Sequence, residues 1–193
     1  NEEDFRLNAT TLDAQDGGRV AVDGTGLVAV WNGPGQDGSG PAVVGRRQNV
    51  RPIGADVDVH GIGTSDLNGV LEPGEAIRVE PKWKNASKSD FPGLEGNATQ
   101  FYGPAGPVYT LLDGAASYGT LLVNGQVGCN DLSVSECYAV QPGSVPRPAP
   151  HWDTVLPESL SIGGTQYWIL HVGDSFSDVP RTQSFYRKIE TLL

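Results

Sequence analysis

The chain carries no methionine, only two cysteines, few basic residues and no apolar run long enough to cross a bilayer. Without an initiating methionine or a signal-like apolar stretch, it reads as a processed exported chain or an excised fragment. Without an uninterrupted apolar segment of about 20 residues, no helical membrane span is expected. Lys and Arg number 13 against 23 Asp and Glu, a formal charge of -10, which opposes binding to nucleic acid or an anionic lipid surface. The same excess of acid tolerates divalent cations. The two cysteines, Cys129 and Cys137 in "CNDLSVSEC", suit a disulfide-closed loop in an oxidising compartment. A cysteine metal site would need a closer pair, repeated elsewhere, and there is no second pair.

What is present is turn chemistry. The 26 glycines and 14 prolines break the apolar residues into short runs, a pattern of strands rather than long helices. "RVAVDGTGLVAVW" places two runs around Asp23-Gly24-Thr25-Gly26, a hairpin signal, and another run follows at Ala42 to Val44. "NVRPIGA", residues 49 to 55, reads as a joint. Beyond it "DVDVHGIG" alternates Asp56, Asp58 and His60 with Val57 and Val59. "AIRVEPKWKN" sets Ile77, Val79, Pro81 and Trp83 against Arg78, Glu80, Lys82 and Lys84, and Pro81 predicts an edge strand or a bulge. Further runs lead to a short C-terminal helix with Phe185, Ile189 and Leu192 on one face and Thr182 or Ser184 as N-cap. The expected class is all-β: an immunoglobulin-like β-sandwich over residues 56 to 193, an N-terminal β-hairpin or repeat-like section over residues 1 to 50, and that helix.

Three stretches carry resemblances. Residues 5 to 48, with "VAVDGTGLVAVW" and "GQDGSG", resemble one unit of a repeat in large secreted bacterial proteins, where such units pack in series. A lone unit leaves Val20, Val22, Val28, Val30 and Trp31 to be covered by the rest of the chain or by another copy. "TSDLNGVLEPGE" resembles the D-x-N-G-x-L-x-P-G-E opening of β-sandwich modules in secreted bacterial proteins. "CNDLSVSECYAV", "HWD" and "WILHVGDSFSDVP" resemble an uncharacterised C-terminal module of large extracellular bacterial proteins, which continues past the point where residue 193 falls. These resemblances imply an extracellular or cell-surface location. Three sequons, at Asn8, Asn85 and Asn97, agree with it as glycan acceptors.

"VGDSFSD" resembles the opening block of GDSL esterases, which would make Ser175 a nucleophile. That family places the block near the N-terminus of an α/β domain; here it is late, with no His after it. Upstream His151 or His171 would have to act as base, and the expectation is a structural turn in which Asp174, Ser175, Ser177 and Asp178 bond local backbone. His151 with Asp153 falls short of a zinc site, and His60 with Asp56 and Asp58 on one strand face is a somewhat better transition-metal group. The strongest chemical signal is "SDLNGVLEPGE". Asp66 and Asn68 alternate, Gly69 permits a tight turn, the Val70 carbonyl points inward and Glu75 reaches back, an oxygen set for calcium. An Asx-turn with a solvated Glu75 is the plain alternative.

Taken together, the expectation is a non-catalytic extracellular structural protein. It is a calcium-stabilised β-sandwich subunit that assembles with its own copies, as oligomer or filament, through its N-terminal residues. The alternative is an accessory binding module of a larger secreted enzyme or adhesin. Carbohydrate would then stack on Trp31, Trp83, Trp152 or Trp168, of which Trp83 and Trp168 are better explained as core.

Overall fold

The structure, a computed structural model of the chain, describes residues 16–22, 27–34 and 41–192. Strand makes up 51% of it and helix 7%, so the expected all-β class holds. The N-terminal section is an antiparallel sheet of β1 (Asp16–Val22), β2 (Leu27–Pro34) and β3 (Pro41–Gln48), with β2 in the middle. After one intervening residue the chain enters β4 (Val50–Gly61), so most of the stretch read as a joint is strand, paired from Val50↔Asn85 onward.

Two packed sheets form the sandwich. One runs β4, β5 (Ile77–Asn85), β10 (Tyr138–Pro142), β7 (Tyr109–Asp113), with β9 (Gln126–Gly128) also on β5. The other runs β12 (Thr165–His171), β11 (Asp153–Leu160), β6 (Phe91–Asn97), β8 (Ala115–Leu121). Between them lie Ile77, Val79, Trp83, Leu94, Tyr118, Leu121, Trp152, Leu156 and Trp168, all buried. Trp83 meets Tyr118 and Trp168 edge-on, the orientation that aromatic quadrupoles favour. The tryptophan platform imagined for a sugar is therefore mostly core, with only Trp31 half-buried.

Pro81 is not at an edge. β5 pairs with β4 on one side, while on the other it pairs with β10 through Val79 and with β9 from Lys82 onward. Pro81 falls in the handover, where no ladder donor is needed. The segment that leaves the sheet there holds two 3-10 turns, Cys129–Asp131 and Val134–Glu136, and is closed by the Cys129–Cys137 disulfide.

Two expectations about side chains change. The Asn85 amide is buried and donates to the carbonyls of Ser89 and Leu121, so this packing leaves no room for a glycan. Asn97 is exposed on β6, and Asn8 lies outside the described residues. In the helix α1 (Tyr186–Glu190) the buried pair is Tyr186 and Glu190, while Phe185 and Leu192 face solvent. Polar bonds from Tyr186 and Glu190 to the turn before the helix outweigh the apolar stripe, and no side chain caps the N-terminus.

Glu158 lies wholly inside the sandwich. Its Oε1 accepts from the hydroxyls of Tyr118 (2.5 Å) and Tyr138 (2.9 Å), and its Oε2 from Trp168 Nε1 (2.6 Å). Burial pushes the Glu158 carboxyl upward, and the three donors act against that rise. Glu158→Ala strands three buried donors and should cost about 3–5 kcal/mol in urea unfolding. Glu158→Gln keeps an oxygen for the tyrosines but turns an N–H toward Trp168, and should cost roughly 1–3 kcal/mol.

Candidate metal sites at the end of the sandwich

The corner that follows β4 is built by a bulge. Pairing with β5 slips between Val57 and Gly61, and Asp58 adopts a left-handed φ of 48°. The slip breaks the alternation that would put Asp58 beside Asp56 and His60. Asp58 turns inward and is fully buried; Asp56 pairs with Lys82 at 2.5 Å, and His60 Nδ1 meets Glu80 Oε1 at 2.6 Å. The transition-metal group expected on that strand therefore does not form.

Asp58 instead organises the next loop. Its Oδ2 accepts from the N–H of Asn68 (2.8 Å) and Gly69 (3.3 Å), and its Oδ1 accepts from Ser65 Oγ. Asp66 Oδ1 accepts from Asn68 N–H at 3.1 Å, the Asx-turn that the spacing allowed. Glu72-Pro73-Gly74-Glu75 is a type II turn, closed by Glu75 N–H on the Glu72 carbonyl at 3.1 Å with Gly74 at a φ of 82°. That turn folds Glu75 back under the loop. Its Oε1 accepts from Asp66 N–H (2.8 Å) and its Oε2 from Glu72 N–H (3.1 Å).

One oxygen from each of Asp58, Asp66, Glu72 and Glu75 lies within 4.8 Å of the others, and all but Asp66 are buried. Of the expected ligands, Asp66 and Glu75 belong to the cluster. Asn68 is a clip: its Oδ1 accepts from Val70 N–H and its Nδ2 donates to Glu72 Oε1 at 2.6 Å. Val70 supplies that N–H and a buried side chain. Asp58 and Glu72 complete the cluster and were not among the residues expected there. Glu72 could have been found in the sequence, since it stands in the same L-E-P-G-E turn; Asp58 could not, because the bulge is a tertiary event.

Glu72 is the member under most tension. Its Oε2 is buried and accepts nothing, and Arg181 approaches only its other oxygen, at 4.0 Å. Burial first, then a hydrogen bond and charge from Glu75, push the Glu72 carboxyl up to about 9. A proton relieves it; so does a cation.

A second constellation lies beyond β11 and β12. Asp153 and His171 are cross-strand partners, and His171 Nδ1 lies 3.1 Å from Asp153 Oδ1. His151 Nε2 lies 2.9 Å from Asp153 Oδ2, and the two imidazoles are 5.0 Å apart. His171 Nε2 faces Ser175 Oγ at 2.9 Å and Glu190 Oε2 at 3.3 Å. Ser175 is thus joined to a histidine and an aspartate by side chains, whereas the sequence pointed to local backbone bonding.

The order Ser175, His171, Asp153 follows the distances of a hydrolytic triad, with further groups facing the serine and the imidazole. A triad needs the nitrogen facing the serine to accept the hydroxyl proton, and N–H donors free for an oxyanion. Here the buried Glu190 carboxylate also faces that nitrogen, and its Oε1 takes the Ser175 N–H at 3.1 Å. Arg147 donates to Ser175 Oγ at 3.1 Å and otherwise to the carbonyls of Pro150, Val172 and Gly173. Asp174 turns to Arg181 and Tyr186, and the Arg181 hydrogen bonds hold its carboxyl below the usual range. Compared with known protein families, curated proteins and solved structures, the chain matches none.

The raised Glu72 carboxyl fixes the sign of a pH effect. Between 4.5 and about 9 the folded state holds a proton that the unfolded chain has released, so stability falls as pH rises through that window. Without added cations, urea unfolding should lose up to about 1.4 kcal/mol per pH unit there. Glu72→Gln should remove the Glu72 part of that slope and leave the decline in the same direction due to the raised Glu158 carboxyl.

Proposed function

We propose that the chain is a non-catalytic structural module of an extracellular protein, a β-sandwich whose corner at residues 58 to 75 is locked by calcium. The observation that carries this reading is the cluster of four carboxylates with a buried, unpartnered Glu72 oxygen. Calcium takes six to eight oxygens at 2.3–2.6 Å, so oxygens across the ion lie up to about 5 Å apart, and the cluster fits within that span. Four acidic ligands on a chain of net charge -10 favour a hard divalent cation over a neutral ligand. The disulfide supports an oxidising compartment. Glu190 beside His171 supports a non-catalytic role for Ser175.

The proposal extends to self-association through the N-terminal sheet. Among the described residues, Val28, Val30 and Val43 lie exposed there, Val43 at 77%, and the outer edges of β1 and β3 carry no further strand. The acidic first residues, expected to add a strand to a neighbour, lie outside the described residues. The accessory-module alternative has less support, because Trp83, Trp152 and Trp168 are core.

Thermal unfolding in 1 mM calcium and in excess chelator tests the lock. Calcium should raise Tm by several degrees, as expected for a ligand well above its Kd. Asp58→Asn and Glu72→Gln should each remove most of that rise, and equal melting of the wild-type chain in both conditions would refute the site. Light scattering tests association. Species above 20.4 kDa that revert to it in a Val28→Lys, Val43→Lys variant support it, whereas a 20.4 kDa monomer throughout favours the accessory module.

A further inference from the structure

We infer that His151, Asp153 and His171 form a second metal site, for a divalent transition ion of the zinc class, separate from the calcium corner and independent of that reading. Three observations converge. The donor set is two imidazoles and one carboxylate, the set that zinc and its neighbours take and calcium does not. The spacing fits as well. A tetrahedral zinc with bonds of about 2.0–2.1 Å holds its ligand atoms roughly 3.3 Å apart. Here Asp153 has His171 Nδ1 at 3.1 Å from one oxygen and His151 Nε2 at 2.9 Å from the other, and the three residues offer ligand atoms within 4.8 Å of one another.

The third observation is the support behind His171. A ligating histidine usually donates its other N–H to a carboxylate, which fixes its tautomer. Glu190, 1% exposed, faces His171 Nε2 at 3.3 Å and is itself held by the Ser175 N–H. With the proton on Nε2, the neutral ring turns the lone pair of Nδ1 toward Asp153 Oδ1 with no hydrogen between them. A cation there converts a repulsive contact into two bonds. Ser175 Oγ, 2.9 Å from Nε2, accepts from the same nitrogen, which gives it a positioning role. Three protein ligands leave a fourth position on the side of exposed His151 for water or a donor from outside the chain.

The test is cobalt(II) titration of the intact chain in saturating calcium, read by visible absorption, with zinc competition. A four- or five-coordinate cobalt spectrum at one equivalent, displaced by zinc, is the expected result. His151→Ala, at an exposed position that the core does not need, should weaken binding at least tenfold, and His171→Ala should abolish it. Glu190→Gln should weaken cobalt about 10–100-fold without removing the spectrum. Glu72→Gln should leave it unchanged. Only the octahedral spectrum of hydrated cobalt, or binding unaffected by His151→Ala, would overturn the site. Stoichiometric labelling of Ser175 by a fluorophosphonate would also overturn it, in favour of a hydrolytic serine.

Discussion

A carboxylate taken out of water needs donors or a cation, and the described part of this acidic chain has taken six out: Asp58, Glu72, Glu75, Glu80, Glu158 and Glu190. Five are supplied from within. Glu158 has two tyrosines and a tryptophan, Glu80 has His60, Glu190 has His171 and a backbone N–H, and Asp58 and Glu75 accept from the loop that they organise. Glu72 alone keeps a buried oxygen with nothing to accept. The shape of the corner follows from that demand, since the bulge at Asp58, the Asx-turn at Asp66 and the type II turn at Pro73-Gly74 all turn carboxylates toward one point.

Sequence reasoning reached the parts that depend on local chemistry. Strand alternation in residues 77 to 84 held except at Glu80, which is buried and meets His60 across the strand pair. The L-E-P-G-E turn and the Asp66 loop were legible because proline, glycine and the Asx side chain act within four residues. The failures share a cause. Asp58 facing inward, Pro81 in an interior strand and Tyr186 in place of Phe185 on the buried helix face each depend on a partner far along the chain. The same holds for the second constellation, since β-pairing sets His171 beside Asp153 and no spacing in the sequence encodes that pairing.

The two constellations are mechanically connected. Leu71 bridges Val172 in parallel, and Gly173 N–H donates to the Leu71 carbonyl at 2.8 Å, so the carboxylate corner and the turn that carries Ser175 share a backbone joint. A side chain at Gly69 would run into Arg187, and one at Gly173 would run into Val70 and the Tyr186 hydroxyl. The terminal helix thus sits against the corner, and Arg181 lies between Asp174 and Glu72.

The handover at Pro81 separates two roles that one strand normally combines. β9 and β10 lie end to end along β5, as if one strand had been cut and a disulfide-closed loop inserted at the cut. The sheet draws none of its pairing from that loop, because the residue opposite the gap has no N–H to offer. Evolution can therefore lengthen, shorten or redecorate residues 130 to 136, which lie largely exposed between the two buried cysteines, without disturbing register on either side, and it is there that related chains should differ most while keeping the same sandwich.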